Sequence, residues 1–170
     1  LTEINFPLSW AEAPTRHGSY SGPDYQGQIF TGCTSLKKIV IPAGVTKIPD
    51  CAFSFCSYLE EIVIPSSVKT IGSYAFYGCT SLKAANIPEG VTEIPYQAFY
   101  LCESMETLTL PTSLQKVGED SFRGCYALKS VVLHDNVTSI GYGAFFGCRH
   151  FSRANAWLAA NGKAPVNWQL

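Results

Sequence analysis

Six cysteines, Cys33, Cys56, Cys79, Cys102, Cys125 and Cys148, stand 23 residues apart along the chain. Each follows a phenylalanine by three residues: Phe30, Phe53, Phe76, Phe99, Phe122 and Phe145. The apolar positions after each cysteine keep the same register. They run Leu36, Leu59, Leu82, Met105 and Leu128, then Ile39, Ile62, Ala85, Leu108 and Val131, then Ile41, Ile64, Ile87, Leu110 and Leu133. A proline column follows (Pro42, Pro65, Pro88, Pro111), broken by His134, and a closing V-x-x-I pair recurs in every unit. One column in register could be chance; this many mark a tandem repeat, in which each unit is too small to bury its own apolar face and must stack on its neighbours.

The unit reads A-F-x-x-C-x-x-L-x-x-I-x-I-P-x-x-V-x-x-I-x-x-x. In its L-x-x-I-x-I part the last apolar residues alternate, as a strand with one buried face requires. Proline ends that strand because it brings no N–H to a ladder. The V-x-x-I segment returns the chain along the far side, and a tight helical turn such as Gly72 to Cys79 closes the unit. Ala75, Cys79 and Leu82 form a helical stripe on that turn. Gly78 suits its end, where a left-handed residue is often needed. Stacking places phenylalanine on phenylalanine and cysteine on cysteine, in rungs ~4.8 Å apart.

With its I-P-x-x-V, A-F-x-x-C and G-C-T-S-L segments (Gly32 to Leu36, Gly78 to Leu82), the unit resembles the BspA-like leucine-rich repeats, which are similar to the treponemal type. The resemblance runs in unbroken register over about residues 30–148. It implies a right-handed repeat solenoid with parallel strands, short turns or 3-10 segments, and a helical cap at the C-terminus. It also implies a non-enzymatic protein-interaction module of a bacterial cell-surface or secreted protein, an adhesin binding host matrix proteins or other cells.

The ends depart from the pattern. Leu1 to Pro7 reads as one more strand, making six rungs. Between residues 8 and 28 lies an insertion rich in Gly, Pro and Ser, which reads as a loop on the first turn. After Cys148 the repeat fails. Ser152 to Gly162 reads as a short helix with Ser152 as N-cap, Gly162 as its stop and one apolar face of Phe151, Ala154, Trp157 and Leu158. The expected organisation is therefore a solenoid over 1–148 and a cap over 149–170 that covers its last rung.

Composition narrows the function classes. Twelve Lys+Arg against 13 Asp+Glu give a formal net charge of −1. That lacks the basic surplus of a nucleic-acid binder and the polybasic run of a membrane-surface segment. No apolar stretch approaches a membrane span. At 46% apolar and 15% charged residues the chain has ample core material. Seven cysteines cannot all pair within one chain. The in-register six occupy apolar positions without the short local spacing of a metal site, so they read as buried free thiols. His17, His134 and His150 join no catalytic constellation, no G-x-S-x-G surrounds a serine, and Gly162-Lys163 lacks the rest of a phosphate loop. No catalytic residue, cofactor or metal site is therefore assigned. Asn136-Val137-Thr138 is a glycosylation sequon of a length that chance explains.

The outward strand positions are the informative polar surface. With Leu36, Ile39 and Ile41 turned inward, Lys38 and Val40 face out. The same columns hold Glu61 and Val63; Ala84 and Asn86; Thr107 and Thr109; and Ser130 and Val132. One position earlier the chain alternates Lys37, Glu60, Lys83, Glu106 and Lys129, which sets opposite charges on adjacent rungs. Regular shallow faces of this kind in solenoids bind extended protein partners. The candidate partner-binding residues are Lys38, Val40, Glu61, Val63, Asn86, Thr107, Thr109, Ser130 and Val132, with Arg16, Tyr20 and Tyr25 from the insertion. The chain is expected to act as a monomer. A different reading is a recognition domain of an extracellular enzyme, carbohydrate-binding or accessory, with Trp10, Tyr20 and Tyr25 as aromatic platforms.

Overall fold

The computed structural model describes residues 30–148. The strand at Leu1–Pro7, the insertion at 8–28 and the cap at 149–170 lie outside the described residues. Within them the chain is a stack of parallel rungs, each carrying up to two short strands. The first rung holds β1 (Lys38–Val40) and β2 (Lys47–Ile48), and the second β3 (Glu61–Val63) and β4 (Thr70–Ile71). The third holds β5 (Ala84–Asn86) and β6 (Glu93–Ile94), and the fourth β7 (Thr107–Thr109) and β8 (Lys116–Val117); β9 (Ser139–Ile140) closes the series. All pairings are parallel and displaced by one period: Lys38 lies beside Glu61, Ala84 beside Thr107 and Glu93 beside Lys116.

The columns read from the sequence form one core. The phenylalanine, cysteine and leucine columns of the second to fourth rungs are fully buried. Consecutive phenylalanine rings stack from Phe30 to Phe145 with centroids 4.9–5.6 Å apart and interplanar angles of 7–17°. A backbone ladder runs beside them without a gap. Gly32 N–H donates to Ser54, Phe53 to Ala75, Phe76 to Ala98, Phe99 to Ser121 and Phe122 to Ala144, at 2.7–2.8 Å.

The closing turn is the expected run of short turns, tighter than the helical stripe on it alone suggests. Its Ala75, Cys79 and Leu82 are buried as the stripe requires. The backbone, however, is a chain of i to i+3 turns: Ala75 N–H to Gly72, Tyr77 to Tyr74, Cys79 to Phe76 and Leu82 to Cys79. Two left-handed residues per unit prevent a helix. One column is Cys51, Tyr74, Gln97, Asp120 and Gly143, and the other is Gly32, Phe55, Gly78, Leu101, Gly124 and Gly147. Left-handed geometry costs an L-residue roughly 1–2 kcal/mol, so most of these side chains are held there by the stack rather than by preference. Gly78 has the role the sequence suggested, with φ +69°. Cys51, the odd cysteine, belongs to the other left-handed column.

On the first four rungs a grouping in twos overlies the repeat. β1 pairs with β3 and β5 with β7, with no ladder between β3 and β5; on the far side β2 with β4 is separate from the three paired strands β6, β8 and β9. Side chains alternate in step. Phe55 leans over Gly78 and Leu101 over Gly124, so closely that a Cβ on either glycine would lie 2.9 or 2.7 Å from them. Ser67 Oγ accepts from Gly44 N–H and donates to the Val45 carbonyl; Ser113 does the same for Gly90 and Val91. Across the break, Lys83 N–H still bonds the Glu60 carbonyl at 3.2 Å, and Lys69 Nζ bridges the carbonyls of Ser66 and Glu89. The break coincides with Ala85, the smallest residue of its column.

Candidate binding surfaces

The thiols are structural. Cys56 Sγ donates to the Phe30 carbonyl at 3.0 Å, and Cys79, Cys102, Cys125 and Cys148 repeat the bond to Phe53, Phe76, Phe99 and Phe122 at 3.2–3.4 Å. Each of these thiols thus bonds a carbonyl of the preceding rung. Burial pushes Cys56 up to about 12 and raises Cys79, Cys102 and Cys125 as well. A group that holds its proton so strongly is a poor nucleophile and a poor metal ligand. Among the described residues no cluster of three or more His, Cys, Asp or Glu could hold a metal ion, and no helix is long and apolar enough to cross a membrane.

On the strand face the structure places Lys38 beside Glu61 and Val40 beside Val63, and separately Ala84 beside Thr107 and Asn86 beside Thr109. Val40 and Val63 are 44% and 42% exposed, large values for valine. Lys38 Nζ lies 2.8 Å from Glu61 Oε1, and Glu60 pairs with Lys83 at 2.5 Å and with Lys37 at 3.9 Å. The bond from Lys83 holds the Glu60 carboxyl below the usual carboxylate range. The fifth rung is a correction. Leu128 and Leu133 are buried there, but Ser130 to Val132 form no strand, and Val132 is 66% exposed. The ladder stops where the proline column stops. His134 stands in place of proline, with its Nε2 3.2 Å from the Leu110 carbonyl oxygen. Arg16, Tyr20 and Tyr25 lie outside the described residues.

Sequence reasoning missed a surface on the turn side. The two x positions of A-F-x-x-C, with the residues before it, collect Phe55, Tyr74, Tyr77, Tyr96 and Tyr100. Tyr77 and Tyr100 stack at 5.0 Å and 4°, Tyr74 meets Tyr96 edge-on at 5.3 Å, and Phe55 meets Tyr77 edge-on at 5.1 Å. Gln97 Nε2 donates to Tyr96 Oη and, at 3.4 Å, to Asp120 Oδ2, while Arg123 donates to Asp120 Oδ1 and caps the Phe146 ring at 4.8 Å. Desolvation and the neighbouring phenols Tyr100 and Tyr96 raise the Tyr77 phenol, so it stays a donor. The available signal was aromatic residues recurring in a motif's variable positions.

These repeats are those of a leucine-rich solenoid, and comparison with known proteins places them more closely. A BspA type leucine-rich repeat region, in six copies, matches residues 26–152, so the chain belongs to that family. It is similar to the solved leucine-rich repeat protein of T. pallidum, at 41% identity and TM-score 0.61, over 64% of this chain and 53% of that one. It is also similar to a leucine-rich cell surface protein of Faecalibacterium prausnitzii A2-165 (40%, TM-score 0.65, 71% of this chain and 32% of that one). A leucine-rich repeat protein of Bacteroides ovatus ATCC 8483 gives 34% and 0.59 over 67% and 32%. The chain therefore spans about half the length of the first and a third of the others. Comparison with curated proteins finds no match.

Proposed function

We propose that this chain is a non-enzymatic protein-binding module of a bacterial cell-surface or secreted protein, serving adhesion to host or other cells through its strand face. The observation that carries the reading is the pair of outward columns through Lys38, Glu61, Ala84 and Thr107 and through Val40, Val63, Asn86 and Thr109, set in register by the ladders. Apart from the half-buried Lys38, which pairs with Glu61, they are exposed, as an extended partner needs. The F. prausnitzii relative is itself described as a cell surface protein, which supports the location. Four strands make a strip only ~14 Å across, narrow for a stable interface of ~800 Å² per partner. This chain alone should therefore bind weakly.

The test is a variant carrying Val63→Arg, Asn86→Arg and Thr109→Arg, compared with the parent for binding to immobilised purified host matrix proteins. These side chains face solvent, so the variant should keep its circular dichroism spectrum. It should lose binding, since an unpaired charge at the centre of a contact is costly. Equal binding by both proteins would remove the strand face from the reading. Binding of glycans and of no protein would replace the reading with a carbohydrate-recognition module.

A further inference from the structure

We propose that the boundary between the second and third rungs is a hinge. The turn side is its axis, and the rungs part on the strand side and the far side. The inference stands on the backbone and does not depend on the binding reading. Because the hinge crosses the strand face between Val63 and Asn86, it sets the angle between the two halves of that face.

On the strand side the first and third boundaries are closed in the same way. Glu60 N–H donates to the Lys37 carbonyl at 2.8 Å, Glu61 N–H to the same carbonyl at 3.2 Å, and Ile41 N–H to the Val63 carbonyl at 3.0 Å. Glu106, Thr107 and Ile87 repeat these bonds between the third and fourth rungs. Between the second and third, Lys83 N–H reaches the Glu60 carbonyl at 3.2 Å, while Ala84 and Ile64, in the matching positions, make no such bond among the described residues. The Lys83–Glu60 ion pair also spans the gap, but both side chains stand partly in solvent, where such a pair holds little.

The far side opens at the same boundary, and Pro95 is the reason. Gly72, Gly118 and Gly141 share a column and donate to the preceding rung at 2.7–2.8 Å. Pro95 stands in that column and has no N–H to give. Its ring also keeps the rungs apart: a Cβ on any of the three glycines would run into the backbone of the rung before. The glycine boundaries therefore close further than a proline permits. Lys69, Gln115 and Thr138 each donate to the preceding rung at 2.8 Å, and Thr92, in the same column, does not. The corner serines keep to the same grouping. Ser67 joins the first two rungs and Ser113 the third and fourth, whereas the second boundary has the Lys69 amine on the Glu89 carbonyl.

The turn side is unbroken there. Phe76 N–H donates to the Ala98 carbonyl and Gly78 N–H to the Tyr100 carbonyl, both at 2.8 Å. The Phe76 and Phe99 rings stack at 4.9 Å, the shortest separation in their column. A section held on one side and loose on the other two turns about the held side. No neighbouring boundary has this form. The first and third are laddered on both the strand side and the far side, and the fourth keeps β8 paired with β9. In a stack where each rung touches only its neighbours, motion concentrates at the weakest boundary.

The experiment is amide hydrogen exchange of the full 170-residue chain, followed residue by residue by NMR and corrected for intrinsic rates. Glu60, Lys83 and Glu106 donate from the same position of successive rungs, so the comparison isolates the boundary each one crosses. Lys83 is expected to exchange about tenfold faster than the other two, or more, while Phe76, on the axis of the same boundary, stays as protected as Phe53 and Phe99. Equal protection of Lys83, Glu60 and Glu106 would overturn the proposal, because the boundary would then be rigid. Fast exchange at Phe76 would overturn it as well, because the rungs would then separate without an axis. A Pro95→Gly variant distinguishes a hinge from local loosening. It restores the donor and removes the ring on the far side, across the section from Lys83. If the rungs move as bodies, the Lys83 rate falls toward those of Glu60 and Glu106 in the same chain. If it stays unchanged relative to them, the loosening is local and the hinge is wrong. Should the variant fail to fold, the comparison within the parent chain decides alone.

Discussion

The turn side of the solenoid never misses a rung from Phe30 to Phe145, whereas the strand side is interrupted after the second rung and ends after the fourth. Both sides were built from the same 23-residue unit, so the difference lies in what each position must satisfy. On the turn side, rings, backbone amides and thiols interlock: the six phenylalanines of the column stack, and the carbonyls of Phe30, Phe53, Phe76, Phe99 and Phe122 each receive a thiol from the next rung. On the strand side only Leu, Ile and Ile of each unit are constrained, and the outward positions vary freely. The lesson is a division of labour within one repeat, with rigidity concentrated behind a row of tyrosines and variability on the strand face.

The sharpest way to break that comparison is in the ring stack. Phe76→Ala removes a fully buried ring between Phe53 and Phe99 and opens a cavity that neighbouring rungs cannot close. It should cost ~3–5 kcal/mol in urea denaturation. Asn86→Ala on the strand face should stay within ~0.5 kcal/mol. Comparable losses from the two changes would show that the turn side holds no more of the stability than the strand side.

The next largest effect is alkaline. An unfolded thiol ionises near 9.0, while Cys56 in the fold holds its proton to about 12. Between those values the unfolded chain binds fewer protons than the folded one, so stability is complete below pH 9 and falls as pH rises. Each such thiol contributes a slope of ~1.4 kcal/mol per pH unit. Cys102→Ser keeps a donor for the Phe76 carbonyl and should flatten the slope by that amount. A stability profile level to pH 10.5 would mean the thiols are not buried as described.

How far the sequence could be read follows the same division. The phenylalanine, cysteine and leucine columns are identities repeated in one place, and identity is visible without coordinates. The strand face was legible too, because alternation fixes which side faces out. The i, i+4, i+7 spacing at Ala75, Cys79 and Leu82 says which residues are buried, not how the backbone between them turns; the short turns there were expected from the repeat as a whole. Tyr74 in a left-handed conformation is imposed by neighbouring rungs and has no sequence mark of its own. The fifth strand was misread at Ser130 to Val132 because the pattern persists there while the hydrogen bonds do not. The tyrosine surface was overlooked because it occupies positions the consensus writes as x.

A smaller effect tests how finely the turn side is fitted. Ala52, Ala75, Ala98 and Ala144 line one buried column, in which Ser121 is the exception, and its hydroxyl finds no partner. Ser121→Ala removes an unsatisfied polar atom and restores the residue that fits the other rungs. It should stabilise the protein by ~1 kcal/mol, a rise of roughly 2–4 °C in thermal midpoint. A fall would mean that the hydroxyl is satisfied in solution, by water or by rotation toward a backbone carbonyl.

The smallest effect is expected on the strand face, in the alternating charges. Glu60 bonds Lys83 across the break between β3 and β5, and Glu106 bonds Lys129. The carboxyls of Glu60 and Glu106 are held down by these lysines, so their contribution is present above the ordinary value of 4.5 and fades as pH falls from there. All four groups stand in solvent, where ordering two long side chains offsets most of the attraction. A double-mutant cycle of Glu60→Ala and Lys83→Ala should therefore give no coupling resolvable from zero in moderate salt. The position of this pair makes the result decisive for the comparison. If a clear coupling appeared and vanished with added salt, the charges would be clamping the two rung pairs together where the ladders do not. The strand side would then share the structural role assigned here to the turn side alone.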